Sequence, residues 1–102
     1  MRVLVVDDER NIRRTFSLAL ESMNHEVSTA SSGRDAVDEL KRANFDVVFL
    51  DLKLSQESGL DVLEEIVRVS PQSFVVIVTA YASVETAVEA MRRRAFDYLP
   101  KP

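Results

Sequence analysis

Three continuous apolar runs, Val3–Val6, Val47–Leu50 and Phe74–Val78, limit the possible folds of this chain more than any other feature. They are apolar at every position, not at alternate ones, and rich in β-branched residues. Such runs suit strands buried on both faces, as in a parallel sheet with helices on either side. Each run stops at a polar group: Asp7-Asp8 after the first, Asp51 after the second, Thr79 after the third. The interval from Asp7 to Asp51 is too long for one strand–helix unit. His25–Ala30 fills it with a weaker, more polar strand pattern suited to an edge, and Phe96–Leu99 is a fifth candidate strand before Pro100-Lys101-Pro102.

Helical periodicity occupies the gaps. Ile12, Phe16, Ala19, Leu20 and Met23 form one stripe, and Ala36, Val37 and Leu40 a shorter one after Ser32-Gly33. Ser58 is placed to cap a helix carrying Leu60, Leu63 and Val67. Ser83 is placed to cap another, whose Val84, Ala87, Val88 and Met91 read as a core stripe. Ala82 and Ala90 are candidates for a smooth, small-residue face on that last helix. The order β-α-β-α-β-α-β-α-β predicts an α/β fold with right-handed crossovers and an open sheet. In such sheets ligands sit beyond the carboxyl ends of the strands, where strand order reverses.

Composition narrows the function. With 102 residues the chain forms one domain, and two Gly and three Pro are too few turn-formers for an all-β sandwich. The absence of Cys excludes disulfides, thiolate metal sites and a thiol nucleophile, and fits a reducing compartment. A net charge of −4 supplies no global basic field for nucleic acid or an anionic membrane. No apolar run is long enough to span a bilayer and no secretory signal opens the chain, so a cytoplasmic location is expected.

The predicted fold brings Asp7, Asp8, Asp51, Thr79 and Lys101 to one edge of the sheet. Singly each has an ordinary explanation: an acid after a strand caps a helix, a Thr ends a β-run, a Lys near a terminus is solvated. Together, three carboxylates beside a hydroxyl and an ammonium repel unless something binds among them. A divalent cation brings the sum of their charges to zero. Oxygen donors without His or Cys favour Mg²⁺ over zinc. A cation, an ammonium and a hydroxyl around an acceptor carboxylate are the parts needed for in-line phosphoryl transfer.

These residues and their surroundings resemble a known family. Asp7-Asp8 after a strand, Asp51 ending VVFLD, Thr79-Ala80 ending VVIVTA, and Tyr98-Leu99-Pro100-Lys101-Pro102 are similar to the signature of bacterial two-component receiver domains. The stretches DLKL…SGLDVL and YASVETAVEAMRRRAFDYLPKP resemble the NtrC group, whose full proteins activate transcription with the alternative sigma factor sigma-54. The resemblance runs from Val3 to Pro102. It implies a doubly wound five-stranded parallel sheet of order 2-1-3-4-5, flavodoxin-like, here lacking a fifth helix. It also implies that Asp51 is the phosphoacceptor, served by a sensor histidine kinase in a phosphorelay. Asp8 and Asp51 would bind Mg²⁺ directly, Asp7 through water, and the Lys53 backbone carbonyl would add a ligand. Thr79 and Lys101 would hold the phosphoryl oxygens, and Tyr98 would change rotamer as Thr79 moves. Such a domain catalyses only its own phosphorylation and dephosphorylation. It acts through an output domain of a longer parent, forms homodimers and does not itself bind nucleic acid. The Lys101–Pro102 bond is expected to be cis.

Three departures from the family pattern carry expectations. Ser55 replaces the usual proline, predicting a looser loop after Asp51. Arg94 stands where a glycine usually supplies the left-handed cap of the fourth helix, at a cost of roughly 1 kcal/mol. The chain stops at Pro102, before a fifth helix, so 1–102 reads as a truncated receiver. One face of the sheet, bearing alternate residues of Phe74–Val78 with Phe96 or Tyr98, is then expected to lie open and to be covered by another copy or a continuation. His25 reads as a surface residue and Arg92–Arg94 as complements to a helix dipole. Rival readings are weaker. A haloacid dehalogenase-type phosphatase needs Asp-x-Asp, but Asp7 is followed two residues on by Glu9 and Asp51 by Lys53. A dinucleotide-binding fold needs Gly-x-Gly-x-x-Gly, but the only glycines are Gly33 and Gly59. The remaining alternative is a stand-alone or non-transcriptional receiver acting as a protein-interaction module.

Overall fold

The computed structural model describes residues 1–101. Seven strands and four helices follow in the order β1 (Arg2–Val6), α1 (Arg10–Ser22), β2 (Glu26–Ala30), α2 (Gly33–Arg42), β3 (Val47–Leu50), β4 (Lys53–Leu54), β5 (Glu57–Ser58), α3 (Gly59–Val69), β6 (Phe74–Thr79), α4 (Val84–Arg92) and β7 (Asp97–Pro100). Five strands form a parallel sheet in the order β2-β1-β3-β6-β7. Counted among the long strands alone, this is the expected 2-1-3-4-5. The order reverses between β1 and β3, so the carboxyl ends of these two strands flank the crevice. The expected cis Lys101–Pro102 bond lies outside the described residues.

Register decides which side chains share a layer. Leu4 pairs with Val48 and Val48 with Val75; Val6 pairs with Leu50 and Leu50 with Ile77. All six are buried in one core with Ala36, Leu40, Leu63 and Ile66 from α2 and α3. Val3, Val5, Phe49, Val76 and Val78 alternate with these, so they point to the other face. Among the described residues, α1 is the only helix on that face. Phe16 of α1 meets the Phe49 ring at 5.0 Å between centroids. No residue of α1 is fully buried: Ile12, Phe16 and Leu20 are half-buried and Ala19 exposed, as is Met23 just beyond the helix.

Four sequence expectations need correction. Strands β2 (Glu26–Ala30) and β7 (Asp97–Pro100) each start one residue later than predicted, and β7 also ends one residue later. Phe96 lies just outside β7, although its N–H donates to the Val75 carbonyl at 2.7 Å. The α4 stripe is not core: Val84 is 81% exposed, and Val88 and Met91 are also exposed. The helix turns its small face inward, seating Ala90, which has no exposed surface, so that the backbone can approach the sheet; Ala82 remains exposed. Tyr98 does not join the open face. Its register partner is Ile77, which places it against the core on the α4 side, while Leu99, paired with Val78, points to the α1 side.

That open face carries Phe74 and Phe96, 53% and 61% exposed, with ring centroids 4.7 Å apart, and the exposed Leu99. Leaving such side chains in water forgoes roughly 1.5–3 kcal/mol each relative to burial. The loop after Asp51, expected to be loose, closes as an antiparallel hairpin in which Lys53 pairs with Ser58 and Leu54 with Glu57. Gly59 N–H donates to the Leu52 carbonyl at 2.9 Å. A Cβ on Gly59 would lie 2.3 Å from the Leu52 backbone, so only glycine permits this closure.

Arg94 has φ of 73°, the left-handed conformation expected at the end of α4. Its N–H donates to the Met91 carbonyl. Arg94→Gly removes the Cβ clash and should raise unfolding stability by about 1 kcal/mol. Urea denaturation should show a higher midpoint at unchanged slope.

Candidate functional site

The sheet's carboxyl edge collects the five predicted residues. Asp7 follows β1 and its N–H is bonded to the Ala30 carbonyl; Asp51 follows β3 and is bonded likewise to the Val6 carbonyl. Both are buried, while Asp8 sits at the mouth and is partly open to solvent. Each of the three carboxylates offers an oxygen within 4.8 Å of the others. Lys101 reaches in from the end of β7: its Nζ donates to Asp7 Oδ2 at 2.8 Å and to Asp51 Oδ2 at 3.0 Å. The outer oxygens are held by backbone, Glu9 N–H donating to Asp7 Oδ1 and Lys53 N–H to Asp51 Oδ1.

Thr79 ends β6 without exposed surface, and its Oγ1 accepts the Tyr81 N–H at 3.1 Å. Its carbonyl accepts the Lys101 N–H at 2.8 Å, so the hydroxyl and ammonium residues are linked through the main chain. Tyr98 is half-buried one layer away. Its hydroxyl pairs with Thr86 Oγ1 at 2.6 Å and accepts the Ser83 N–H at 3.3 Å, which places it at the start of α4.

Burial alone would lower the Lys101 pKa. The hydrogen bonds to Asp7 and Asp51, with their negative charges, outweigh it, and the net shift is upward from 10.5. Arg13 and Tyr81, neither of them singled out from the sequence, also border the site. Arg13 Nη1 donates to the Asp7 carbonyl at 2.7 Å, fastening α1 to the end of β1. Lys53 Nζ lies 4.1 Å from the Tyr81 ring centroid, a cation–π contact. Arg13 is one of three arginines in the first turns of α1, and nothing in its spacing separates it from Arg10 or Arg14.

Oxygen-only donors, two of them buried and one open to solvent, fit a hard divalent cation that keeps several waters. The response regulator receiver domain family matches residues 3–102. The chain belongs to this family. The receiver is 50% identical over 101 residues to the alginate biosynthesis transcriptional regulatory protein AlgB of Pseudomonas aeruginosa, covering 99% of this chain and 22% of that protein. The chain therefore spans about a fifth of the length of this curated relative. Among solved structures, the receiver superposes with a TM-score of 0.96 at 31% identity on a response regulator from Burkholderia pseudomallei that contains a phosphorylated aspartic acid and a calcium ion. That match covers 99% of this chain and 59% of the other. TrrA of Thermotoga maritima, in complex with Mg²⁺ and BeF, matches with a TM-score of 0.88 at 33% identity, covering 99% of this chain and 86% of that one. No helix of the described residues is long and apolar enough to cross a membrane.

The raised Lys101 pKa has a defined consequence for this receiver. Its contribution to stability is fully present below the unfolded value of 10.5 and is lost as pH rises through the higher folded value. Lys101→Met leaves Asp7 and Asp51 facing each other without a cation and should cost about 3 kcal/mol near neutral pH. In thermal unfolding followed against pH, wild type should lose its advantage over this variant only above that range.

Proposed function

We propose that this receiver is the phosphorylation switch of a two-component signalling protein, with Asp51 accepting a phosphoryl group from a sensor histidine kinase. The observation that carries this reading is the Lys101 bridge: one ammonium within 3.0 Å of Asp51 and 2.8 Å of Asp7. It is placed to hold the charge that a phosphoryl group brings to Asp51. The phosphorylated aspartate in the Burkholderia structure supports the same chemistry.

Asp7, Asp8 and Asp51, with the Lys53 carbonyl, are the residues that would hold Mg²⁺. Bound there, it would neutralise charge on the phosphoryl oxygens. An Asp51 carboxylate oxygen attacks the phosphorus of a kinase phosphohistidine in line. The new O–P bond replaces the P–N bond, and the imidazole departs. The acyl phosphate carries about −1.5 to −2 in place of the carboxylate's single charge. Lys101 holds one phosphoryl oxygen. Thr79 gives up the Tyr81 N–H and turns its hydroxyl to donate to another. The space it leaves admits Tyr98, which releases Thr86 and Ser83 and so loosens the start of α4. The change is a two-state bias over α4 and β7. Hydrolysis of the acyl phosphate resets the site, so the domain catalyses only its own phosphorylation and dephosphorylation. The readout is an output domain of a longer protein, of the sigma-54 activator kind. The exposed Val84, Val88 and Met91 suit contact with that domain or with a second copy.

Two outcomes test the reading. Asp51→Asn should abolish labelling by a phosphoryl donor in the presence of Mg²⁺; labelling that persists in this variant would overturn the assignment. Asp8→Asn relieves repulsion and should raise metal-free stability by about 1 kcal/mol. The same variant should reduce the rise in melting temperature that Mg²⁺ gives wild type.

A further inference from the structure

Glu57 lies in the hairpin after Asp51, yet its carboxylate is bonded to a distant helix. Glu57 Oε1 accepts the Gly33 N–H at 2.7 Å. Gly33 is the first residue of α2, where unpaired N–H groups and the helix dipole favour a negative charge. The cap residue Ser32 is already engaged, its hydroxyl accepting the Asp35 N–H at 3.1 Å. Glu57 therefore satisfies a donor that the cap does not reach. Gly33 is buried, and a Cβ there would lie 2.7 Å from Glu57 Oε2 and 2.5 Å from Val62 Cγ2. The absence of a side chain at 33 is what makes room for the carboxylate. Among the described residues no other hydrogen bond joins the hairpin to α2.

The hairpin transmits this anchor to the site. Glu57 pairs with Leu54, which is buried, and Ser58 pairs with Lys53. The Lys53 N–H donates to Asp51 Oδ1 at 3.1 Å. Chain continuity and two paired residues thus connect the α2 anchor to the peptide that holds Asp51. We propose that Glu57 is a positioning residue for the phosphoacceptor site: by seating its carboxylate on the Gly33 N–H, it holds the hairpin where the Lys53 peptide can serve both Asp51 and the cation. The inference rests on the cation reading given above. Ser55, at the hairpin tip, imposes no backbone restraint of the kind proline would, and the Glu57–Gly33 bond supplies one from outside the loop.

The test is titration of the 102-residue chain with MgCl₂ by calorimetry, together with melting temperatures measured in EDTA. Glu57→Ala should weaken Mg²⁺ binding about tenfold, the low end of the effect of groups that orient metal ligands, whereas Glu57→Gln, which keeps an acceptor oxygen, should stay within about threefold. Glu57→Asp keeps the charge but is one methylene too short. It should weaken binding too, and it decides the question if Glu57→Ala does not fold. Gly33→Ala, which displaces the carboxylate from the other side, should mimic Glu57→Ala, and the double variant should be no worse than the weaker single. Variants that lower the melting temperature but bind Mg²⁺ as wild type does would overturn the positioning role and leave the cation reading intact. A wild-type chain that binds no Mg²⁺ would overturn both.

Discussion

Two buried carboxylates facing each other are the constraint on which the rest of this structure depends. Asp7 and Asp51 lie beyond the ends of adjacent strands with almost no exposed surface, an arrangement that costs several kcal/mol per charge unless it is compensated. Compensation comes from the far end of the chain, where Lys101 bonds to both. For one ammonium to reach them, β1, β3 and β7 must finish level at the same edge, with β6 between β3 and β7. The bond from Lys101 N–H to the Thr79 carbonyl fixes that last spacing. The bond that levels the last strand therefore also helps to gather the Asp51 carboxylate, the Lys101 ammonium and the Thr79 hydroxyl at one edge.

On the side where a signal would be read, packing is deliberately thin. Helix α4 has a single fully buried residue, Ala90, and is otherwise fastened by polar groups at its two ends. At its start, Tyr98 bonds to Thr86 and Ser83. At its end, Arg93 bonds to Glu89 on its own helix and to Asp61 on α3, with Glu64 nearby. Exposed ion pairs are individually weak, commonly about 0–1 kcal/mol. A helix held this way has few buried apolar contacts, the condition under which a segment moves at low free-energy cost, and the switch proposed for Thr79 and Tyr98 would act on it.

What could be read from the sequence divides along the same lines. The apolar runs Val3–Val6, Val47–Leu50 and Phe74–Val78 are continuous enough to mark strands whatever covers each face, so the strands and the polar residues ending them are legible, although Phe74 proves exposed. The face of α4 is not. Val84, Ala87, Val88 and Met91 satisfy helical spacing, but the small Ala90 permits a closer approach to the sheet than the bulky stripe would. The face of Tyr98 depends on its pairing with Ile77, a register that periodicity alone does not specify. The hairpin Lys53–Ser58 escaped notice because two-residue strands carry no alternation to detect. The anchor for its Glu57 lies 24 residues away at Gly33.

The two faces of the sheet are unequal, and the inequality reaches the site. Leu4, Val6, Val48, Leu50, Val75 and Ile77 are sealed under α2, α3 and α4, whereas the opposite layer has α1 alone. Beside α1 a groove of about 320 Å³ opens among Ile12, Thr15, Phe16, Ala19, Val78 and Lys101. Its walls are apolar apart from Thr15 and the lysine whose head group neutralises Asp7 and Asp51. An apolar group seated in that groove would lower the local dielectric around both bonds and so strengthen them. Exposed Phe74, Phe96 and Leu99 extend the same face away from the site. Lys101 is the residue common to the two regions: it lines the groove, and its Nζ bonds both Asp7 and Asp51.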